Sequence, residues 1–228
     1  NNNNIPQVRI ISANAILLSL FTLHYIHRAI LYPLRMNSNA TGVPLIVSTI
    51  AFLFTVSNGY LQCFYLVQIE QRFAPTSFDL LTLENVQTWM GILVFFLGMW
   101  MNIHSDGVLR NLSRYGPVTN TGKINSNHIL QQTPPPPATT GTTTTTNHAY
   151  YIPHSPFFTY ISCPNLSGEI LEWFGYALAS RFSLPSVVFF VYTASNLIPR
   201  GMAHHEWYLR KFDDYPVERR WALIPFVV

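Results

Sequence analysis

Long apolar runs separated by shorter polar connectors make up most of the chain. A transmembrane helix needs about 20 mostly apolar residues, and five runs come close to or exceed that length. They lie at residues 10–27, 43–69, 85–105, 165–180 and 182–199. A more polar stretch, residues 200–216, follows the last run, and its pattern predicts one further helix. We therefore expect an all-α, polytopic membrane helix bundle of five transmembrane helices plus a C-terminal helix on the cytosolic side.

One internal segment does not follow this pattern. Residues 115–155 contain PPPP and TTGTTTTTN and almost no apolar side chains. Such a composition cannot bury enough apolar surface to offset the entropy of ordering the chain. The sequence predicts a disordered cytosolic loop that interrupts a single domain spanning residues 1–228.

Composition supports a membrane protein. Only 10% of the 228 residues are charged, whereas soluble domains have about 25%. A net charge of +3 without a basic patch interleaved with aromatics excludes a nucleic-acid partner. The chain starts within NNNN rather than at a Met, so we expect either a fragment of a longer protein or an incomplete gene model. Cys63 and Cys163 lack motif spacing and are predicted near opposite membrane faces, so we expect no disulfide.

The basic residues give the orientation. If the five runs cross the bilayer, ten of the 13 Lys and Arg residues fall on one side, together with the C-terminus. The positive-inside rule then places the C-terminus in the cytosol. Polar residues of four separate spans consequently share the cytosolic membrane level, where snorkelling alone would scatter them over both faces. We expect one shared site, open to the cytosol and to lipid, containing Tyr25, Asn102, Asp106, Asn165, Glu169, Arg200, His204 and Tyr208.

The stretch at residues 200–216 has the most chemically active composition. A helix would align Arg200, His204, Tyr208 and Lys211 on one stripe, which suits a phosphate-bearing anion. The alternative is a basic juxtamembrane helix that touches anionic lipid headgroups.

Three polar pairs lie elsewhere in the predicted spans, and two of them allow two interpretations. Asn58 and Gln62 in the second span either face a cavity or form interhelical hydrogen bonds beside a closely packed glycine. Asn102 and Asp106 are expected on one face at the C-terminal end of the third span. A helix C-terminus disfavours an acid, so we expect Asp106 to pair with a cation or a hydrogen-bond donor. Glu169 and Glu172 either compensate a helix dipole or pair with something inside the membrane.

The histidines raise the possibility of a membrane di-iron hydroxylase, which needs HxxxH and HxxHH boxes. Of the eight histidines, only His204 and His205 are adjacent, and three lie in the polar loop. We therefore predict no metal site.

Several ordered motifs resemble those of the 3-oxo-5α-steroid 4-dehydrogenases, or steroid 5α-reductases, over nearly all of the chain except the polar loop. Polyprenal reductase and trans-2-enoyl-CoA reductase share mainly the C-terminal motifs, and NGYLQ and NIHSD favour the steroid branch. The matching segments are HYIHR, NGYLQ, NIHSD, GEILEWFGYALAS and RGMAHHEWYLRKFDDYP with the later IPFVV.

The resemblance implies NADPH-dependent reduction of a C4–C5 double bond conjugated to a C3 ketone, in the endoplasmic reticulum membrane. Tyr25 corresponds to the family's donor to the ketone oxygen, while the family's Glu donor lies in a segment upstream of this chain. The family has seven spans, which implies that the first two are missing here. We expect a monomer whose partners are an apolar steroid or other lipid and the membrane.

The family's cofactor positions also carry over, with two exceptions. Where the family has an Arg, this chain has Ser113 at one position and Tyr151 at another. The alternatives are reduction of another enone lipid such as a polyprenal or enoyl-CoA, or an inactive remnant that binds lipid. A related methyltransferase would bind S-adenosylmethionine. The NADPH-binding residues implied by the resemblance are Asn102, Asp106, Asn165, Glu169, Arg200, His204 and Tyr208.

Overall fold

The structure, a computed structural model, describes residues 6–36, 42–69, 83–115, 150–216 and 220–224. Most of the predicted loop at 115–155 thus lies outside the described residues. The described part is helical, with one isolated β-bridge between Ile161 and Trp221. Its α-helices are α1 (Pro6–Ile26), α2 (Tyr32–Leu34), α3 (Leu45–Phe64), α4 (Leu83–Tyr115), α5 (Pro164–Ala179) and α6 (Leu184–Lys211). Wider π-helical turns join α1 to α2 (His27–Leu31) and extend α3 (Tyr65–Ile69).

Three described helical segments are long and apolar enough to cross a membrane, namely Asn14–Leu34, Leu45–Gln68 and Val86–Ser113. They confirm the predicted membrane helix bundle. α5 has 16 residues, a length of about 24 Å, and α6 joins an apolar half to a polar half. Both predicted elements are helices, and their passage across the bilayer stays a prediction.

Two predicted helix ends were wrong. The third span was expected to end at residue 105, but α4 continues to Tyr115, so Asp106 lies in the helix interior. Hydropathy marks where a helix leaves the apolar layer, whereas the helix itself continues as long as its backbone hydrogen bonds are made. In the C-terminal stretch, α6 ends at Lys211, and residues 212–216 are not helical. α6 continues through Pro199, and the apolar run and the polar stretch therefore belong to one helix rather than two.

α4 and α5 pack antiparallel through glycines spaced seven apart on each helix. Gly98 meets Gly168, and Gly91 meets Gly175. A Cβ on Gly98 would lie 2.3 Å from the backbone nitrogen of Glu172, so the two backbones touch directly. Small residues allow such close approach between membrane helices. This packing places the C-terminal half of α4 against the N-terminal half of α5.

An aromatic core joins α1 and α6 to this helix pair. Trp173 of α5 is buried, with its ring centroid 4.4 Å from that of Phe189 on α6 and 5.8 Å from that of Phe21 on α1. Phe95 of α4 closes the same cluster. Contacts between aromatic rings of this kind stabilise the packing beyond the effect of burying the rings. They hold the C-terminal end of α1 beside α5.

The last described segment ties α5 to α6. Residues 220–224 run alongside residues 160–163, where the amide of Ser162 donates to the carbonyl of Trp221 at 2.8 Å. Leu223 fills the space beside Gly201 of α6 and accepts a hydrogen bond from Ser167 of α5. The start of α5 and the middle of α6 are therefore held together.

Candidate active site

Arg28 lies between two carboxylates of different helices. Its guanidinium is 3.5 Å from Asp106 of α4 and 3.8 Å from Glu169 of α5. The side chain belongs to the π-helical turn after α1 and lies over the ring of Tyr32 at 4.9 Å. Turns of this kind often occur at functional sites, because the extra residue redirects side chains. Three helices thus contribute charged groups to one cluster.

Asp106 also accepts a hydrogen bond from the side-chain amide of Asn165, at 3.0 Å. The prediction that this acid meets a cation and a donor is confirmed, although its position at a helix end was wrong. Asn102, one turn earlier on α4, is buried, and a Cβ on Gly168 would lie 2.6 Å from its backbone nitrogen. The cluster therefore contains three of the predicted cofactor-binding residues, Asp106, Asn165 and Glu169, and Arg28, which was not among the predicted site residues, joins them.

His24 and Glu172 form a second pair, completely enclosed by protein. His24 Nδ1 and Glu172 Oε1 are 2.8 Å apart, and the exposed fractions of the two side chains are 7% and 1%. Glu172 lies more than two turns inside α5, so dipole compensation does not explain it. The sequence contained a hint, since His24 and Arg28 are four apart while Glu169 and Glu172 are three apart, matching faces of an antiparallel pair.

Tyr25, the predicted catalytic residue, is partly buried next to this pair. Its ring contacts Phe21 at 4.8 Å between centroids, and its hydroxyl lies beside the side chains of Thr55 and Asn58 on α3. Asn58 accepts a hydrogen bond from Gln62 within the same helix, and its side chain also hydrogen-bonds to Tyr25 of α1, which agrees with the interhelical interpretation of this polar pair. Tyr25 is therefore close to the Arg28 cluster and to α3.

The predicted residues of α6 lie along one side of that helix. Arg200 and His204 are exposed, and the ring of Tyr208 stacks on Tyr215 at 5.2 Å and 12°. Partial burial and the charge of Arg200 lower the pKa of His204, while burial raises the pKa of Tyr208. Near neutral pH His204 is uncharged, so Arg200 supplies the positive charge of this group. The thiol of Cys163, just before α5, donates to the carbonyl of Gly201 at 3.8 Å.

A hydrogen-bonded chain that the sequence did not indicate holds this end of α6 in place. The hydroxyl of Tyr215 donates to Ser162 Oγ at 2.7 Å, and Ser162 Oγ lies 2.6 Å from His205 Nδ1. Burial lowers the pKa of His205, which leaves Nδ1 free to accept. The chain ties α6 to the start of α5, so the α6 group and the Arg28 cluster occupy the same end of α5. Their union in one pocket stays a prediction.

The cysteines and the remaining titratable groups add no further chemistry. Cys63 is exposed and Cys163 is buried, both as free thiols, and burial raises the pKa of Cys163 to about 12. Within the described ranges, no three His, Cys, Asp or Glu side chains are arranged to hold a metal ion.

The two groups of residues fit different parts of a dinucleotide. The cluster holds two carboxylates and one cation, and Asp106 Oδ2, 3.5 Å from Arg28 Nη1, is buried and has no hydrogen-bond partner among the described residues. Carboxylate and amide groups pair well with hydroxyls and a carboxamide, whereas an anion would be repelled by the excess negative charge. Arg200 on α6 can instead meet a phosphate.

Comparison with known proteins identifies the family. The profile of the 3-oxo-5-alpha-steroid 4-dehydrogenase family matches residues 41–131 and 122–228. The chain belongs to this family. It is 36% identical over 219 residues to steroid 5-alpha-reductase DET2 of Gossypium hirsutum, covering 93% of this chain and 69% of that protein. It is 37% identical to 3-oxo-5-alpha-steroid 4-dehydrogenase 1 of Rattus norvegicus and of Homo sapiens, covering 94% of this chain and 68% of each relative.

Membership in the steroid 4-dehydrogenase family confirms the resemblance expressed by the NGYLQ, NIHSD and GEILEW segments. Its named members are reductases and dehydrogenases, that is, oxidoreductases.

Replacing Arg28 tests whether it compensates the two carboxylates. We expect Arg28→Gln to lower stability by about 2 kcal/mol, less than the 3–5 kcal/mol typical of a fully buried pair, because Arg28 is 37% exposed. Thermal unfolding in detergent at pH 7 measures the change. Adding Asp106→Asn should restore most of the loss, since it removes one uncompensated charge. A double variant no more stable than Arg28→Gln would contradict the pairing.

Proposed function

We propose that this protein reduces the C4–C5 double bond of 3-oxo-Δ4 steroids with NADPH, in the endoplasmic reticulum membrane with its C-terminus in the cytosol. The observation that supports this most directly is the meeting of three helices at Arg28. Tyr25 precedes Arg28 by three residues in the chain, and Arg28 pairs with Asp106 and Glu169. A donor for a ketone therefore adjoins groups suited to a cofactor.

The cofactor residues divide by charge. Asn102, Asp106, Asn165 and Glu169 would hold the hydroxyl and carboxamide groups of NADPH. Arg200 would meet a phosphate, with neutral His204 as an additional hydrogen-bonding group and Tyr208 as a ring surface on the same helix. NADPH supplies a hydride, and with one proton from water the enone becomes the saturated ketone while NADP⁺ is released.

Tyr25 would donate to the ketone oxygen of the substrate. Hydride addition at C5 moves an electron pair onto that oxygen, and C4 then takes up the proton. A donor aimed at developing negative charge lowers the barrier, and it acts more strongly in a site that excludes water. The aromatic surroundings of Tyr25, including Phe21 and Trp173, provide such a site.

The deciding experiment follows NADPH oxidation in membranes that contain the full-length protein. Candidate substrates are 3-oxo-Δ4 steroids, polyprenals and enoyl-CoA esters, and binding of S-adenosylmethionine is measured in parallel. We expect oxidation with the steroids and formation of the 5α-reduced ketone. Preference for a polyprenal or enoyl-CoA would overturn the steroid assignment, and binding of S-adenosylmethionine in place of NADPH would overturn the reductase.

Removing the positive charge of Arg200 on α6 should weaken the binding of NADPH. We expect Arg200→Ala to raise the NADPH dissociation constant about 10- to 100-fold, the contribution of a charge-assisted hydrogen bond, as measured by equilibrium binding. Arg210→Ala is the matched control, because Arg210 is exposed on the same helix and pairs only with Glu206 at 3.6 Å among described residues. Equal affinities for the two variants would remove Arg200 from the phosphate site.

A further inference from the structure

Tyr215 is a buried residue whose ring packs against a residue of the proposed cofactor site. It is 4% exposed, and its ring stacks on that of Tyr208 with 5.2 Å between the centroids and 12° between the planes. The guanidinium of Arg220 lies over the Tyr215 ring, 5.2 Å from its centroid. Aromatic rings in contact prefer defined orientations. The place of the Tyr208 ring therefore depends on where Tyr215 is held.

The hydroxyl of Tyr215 is held by a second buried hydroxyl. It donates to Ser162 Oγ at 2.7 Å, and Ser162 is 2% exposed. A serine hydroxyl has one proton of its own, which it can donate to His205 Nδ1 at 2.6 Å. This direction satisfies both hydroxyls, and it requires that His205 Nδ1 carries no proton. The hydrogen-bonded chain is therefore complete only with neutral His205.

The surroundings of His205 favour its neutral form. Partial burial lowers the pKa of His205, and the charge of Glu206 opposes this with a smaller effect. Glu206 is exposed and lies 3.6 Å from Arg210, so solvent and a cation weaken its influence. His205 thus becomes protonated below the usual pKa of a histidine, about 6.5. The other titratable or charged groups next to the chain are His204 on α6, Cys163 before α5, and Tyr215 and Arg220 after α6.

We propose that the chain of Tyr215, Ser162 and His205 positions the cofactor site. It holds the ring of Tyr208 against NADPH while His205 is neutral, and it releases that ring when His205 is protonated. This inference rests on the proposed function, which supplies the cofactor. A protonated His205 carries a hydrogen on Nδ1 that points at Ser162 Oγ, so the proton of Ser162 loses its acceptor. The bond that holds Tyr215 in place is then broken or reversed.

The pH dependence of cofactor affinity tests this role. Equilibrium binding of NADPH to the full-length protein is measured in detergent at pH 7.5 and pH 5.0, for the wild type and for His205→Asn. The amide oxygen of the asparagine accepts from Ser162 at both pH values, so the two proteins should bind NADPH equally at pH 7.5. At pH 5.0 the wild type should bind about tenfold more weakly than His205→Asn. Comparing the two proteins cancels the titration of His204 and of the cofactor phosphate, which they share.

Variants that remove a link should weaken binding at pH 7.5 already. We expect Tyr215→Phe, which keeps the ring and loses the hydroxyl, to raise the NADPH dissociation constant about tenfold, and His205→Leu to do the same. Tyr160→Phe is the matched control, because it removes the same hydroxyl from a ring that is 61% exposed in the segment before α5. If His205→Leu does not fold, Ser162→Ala removes the same link and should give the same rise.

Other outcomes overturn the proposal. An equal pH dependence for the wild type and His205→Asn would assign the chain a purely structural role. A Tyr215→Phe variant that unfolds at a lower temperature but binds NADPH as tightly as Tyr160→Phe would do the same. Failure of the wild type to bind NADPH at pH 7.5 would overturn the proposed function and this inference with it, whereas the first two outcomes leave the proposed function intact.

Discussion

Gly98→Ala is expected to separate α4 from α5 and lower the midpoint of thermal unfolding by about 10 °C. The new Cβ would lie 2.3 Å from the backbone nitrogen of Glu172 and 2.6 Å from the carbonyl oxygen of Gly168. Backbone atoms on a packed helix cannot move aside as a flexible side chain can. Overpacking of this kind costs about 3 kcal/mol or more, and each kcal/mol shifts the midpoint by roughly 2–4 °C in a protein of this size.

The same helix provides the control for this substitution. Gly107→Ala places its Cβ 3.7 Å from the guanidinium of Arg110, an ordinary contact. Because alanine favours a helix over glycine by about 1 kcal/mol, this variant should be as stable as the wild type or more so. Unfolding followed by circular dichroism in detergent compares the two. Equal midpoints for Gly98→Ala and Gly107→Ala would contradict the backbone contact.

Tyr25→Phe is expected to reduce kcat by about 100- to 1000-fold, the effect of removing one donor to a developing oxyanion. The phenyl ring remains, so the packing against Phe21 and Trp173 should be kept. The dissociation constant of NADPH should change little, since the proposed cofactor contacts lie on α4, α5 and α6. Steady-state reduction of a 3-oxo-Δ4 steroid and equilibrium binding of NADPH measure the two effects separately.

Tyr60→Phe is the matched control for this prediction. It removes the same hydroxyl from an exposed ring on α3 that stacks on Phe64, so kcat should stay at the wild-type value. Equal turnover of the two variants would exclude Tyr25 from the chemistry. A raised NADPH dissociation constant in Tyr25→Phe would instead assign the hydroxyl to the cofactor.

The site shows where prediction from sequence works and where it ends. Asp106 and Asn165 were expected at one membrane level because both lie at the predicted cytosolic ends of their apolar runs, and they are hydrogen-bonded at 3.0 Å. Arg28 was treated as the boundary of a span, although it connects three helices. Nothing local distinguishes a boundary cation from one that is paired, since the difference lies in residues more than 70 positions away along the chain.

By itself, the sequence determined that the chain forms apolar helices and which of their ends are polar. This information is local, because a helix satisfies its own backbone hydrogen bonds and an apolar run of sufficient length suits a bilayer. Only the tertiary structure decided which helices and which side chains pair with each other. Glycine spacing, ring packing and the pairing of His24 with Glu172 and of Arg28 with Glu169 fixed which helix faces meet. Such complementarity is a property of two surfaces at once, so only their contact reveals it.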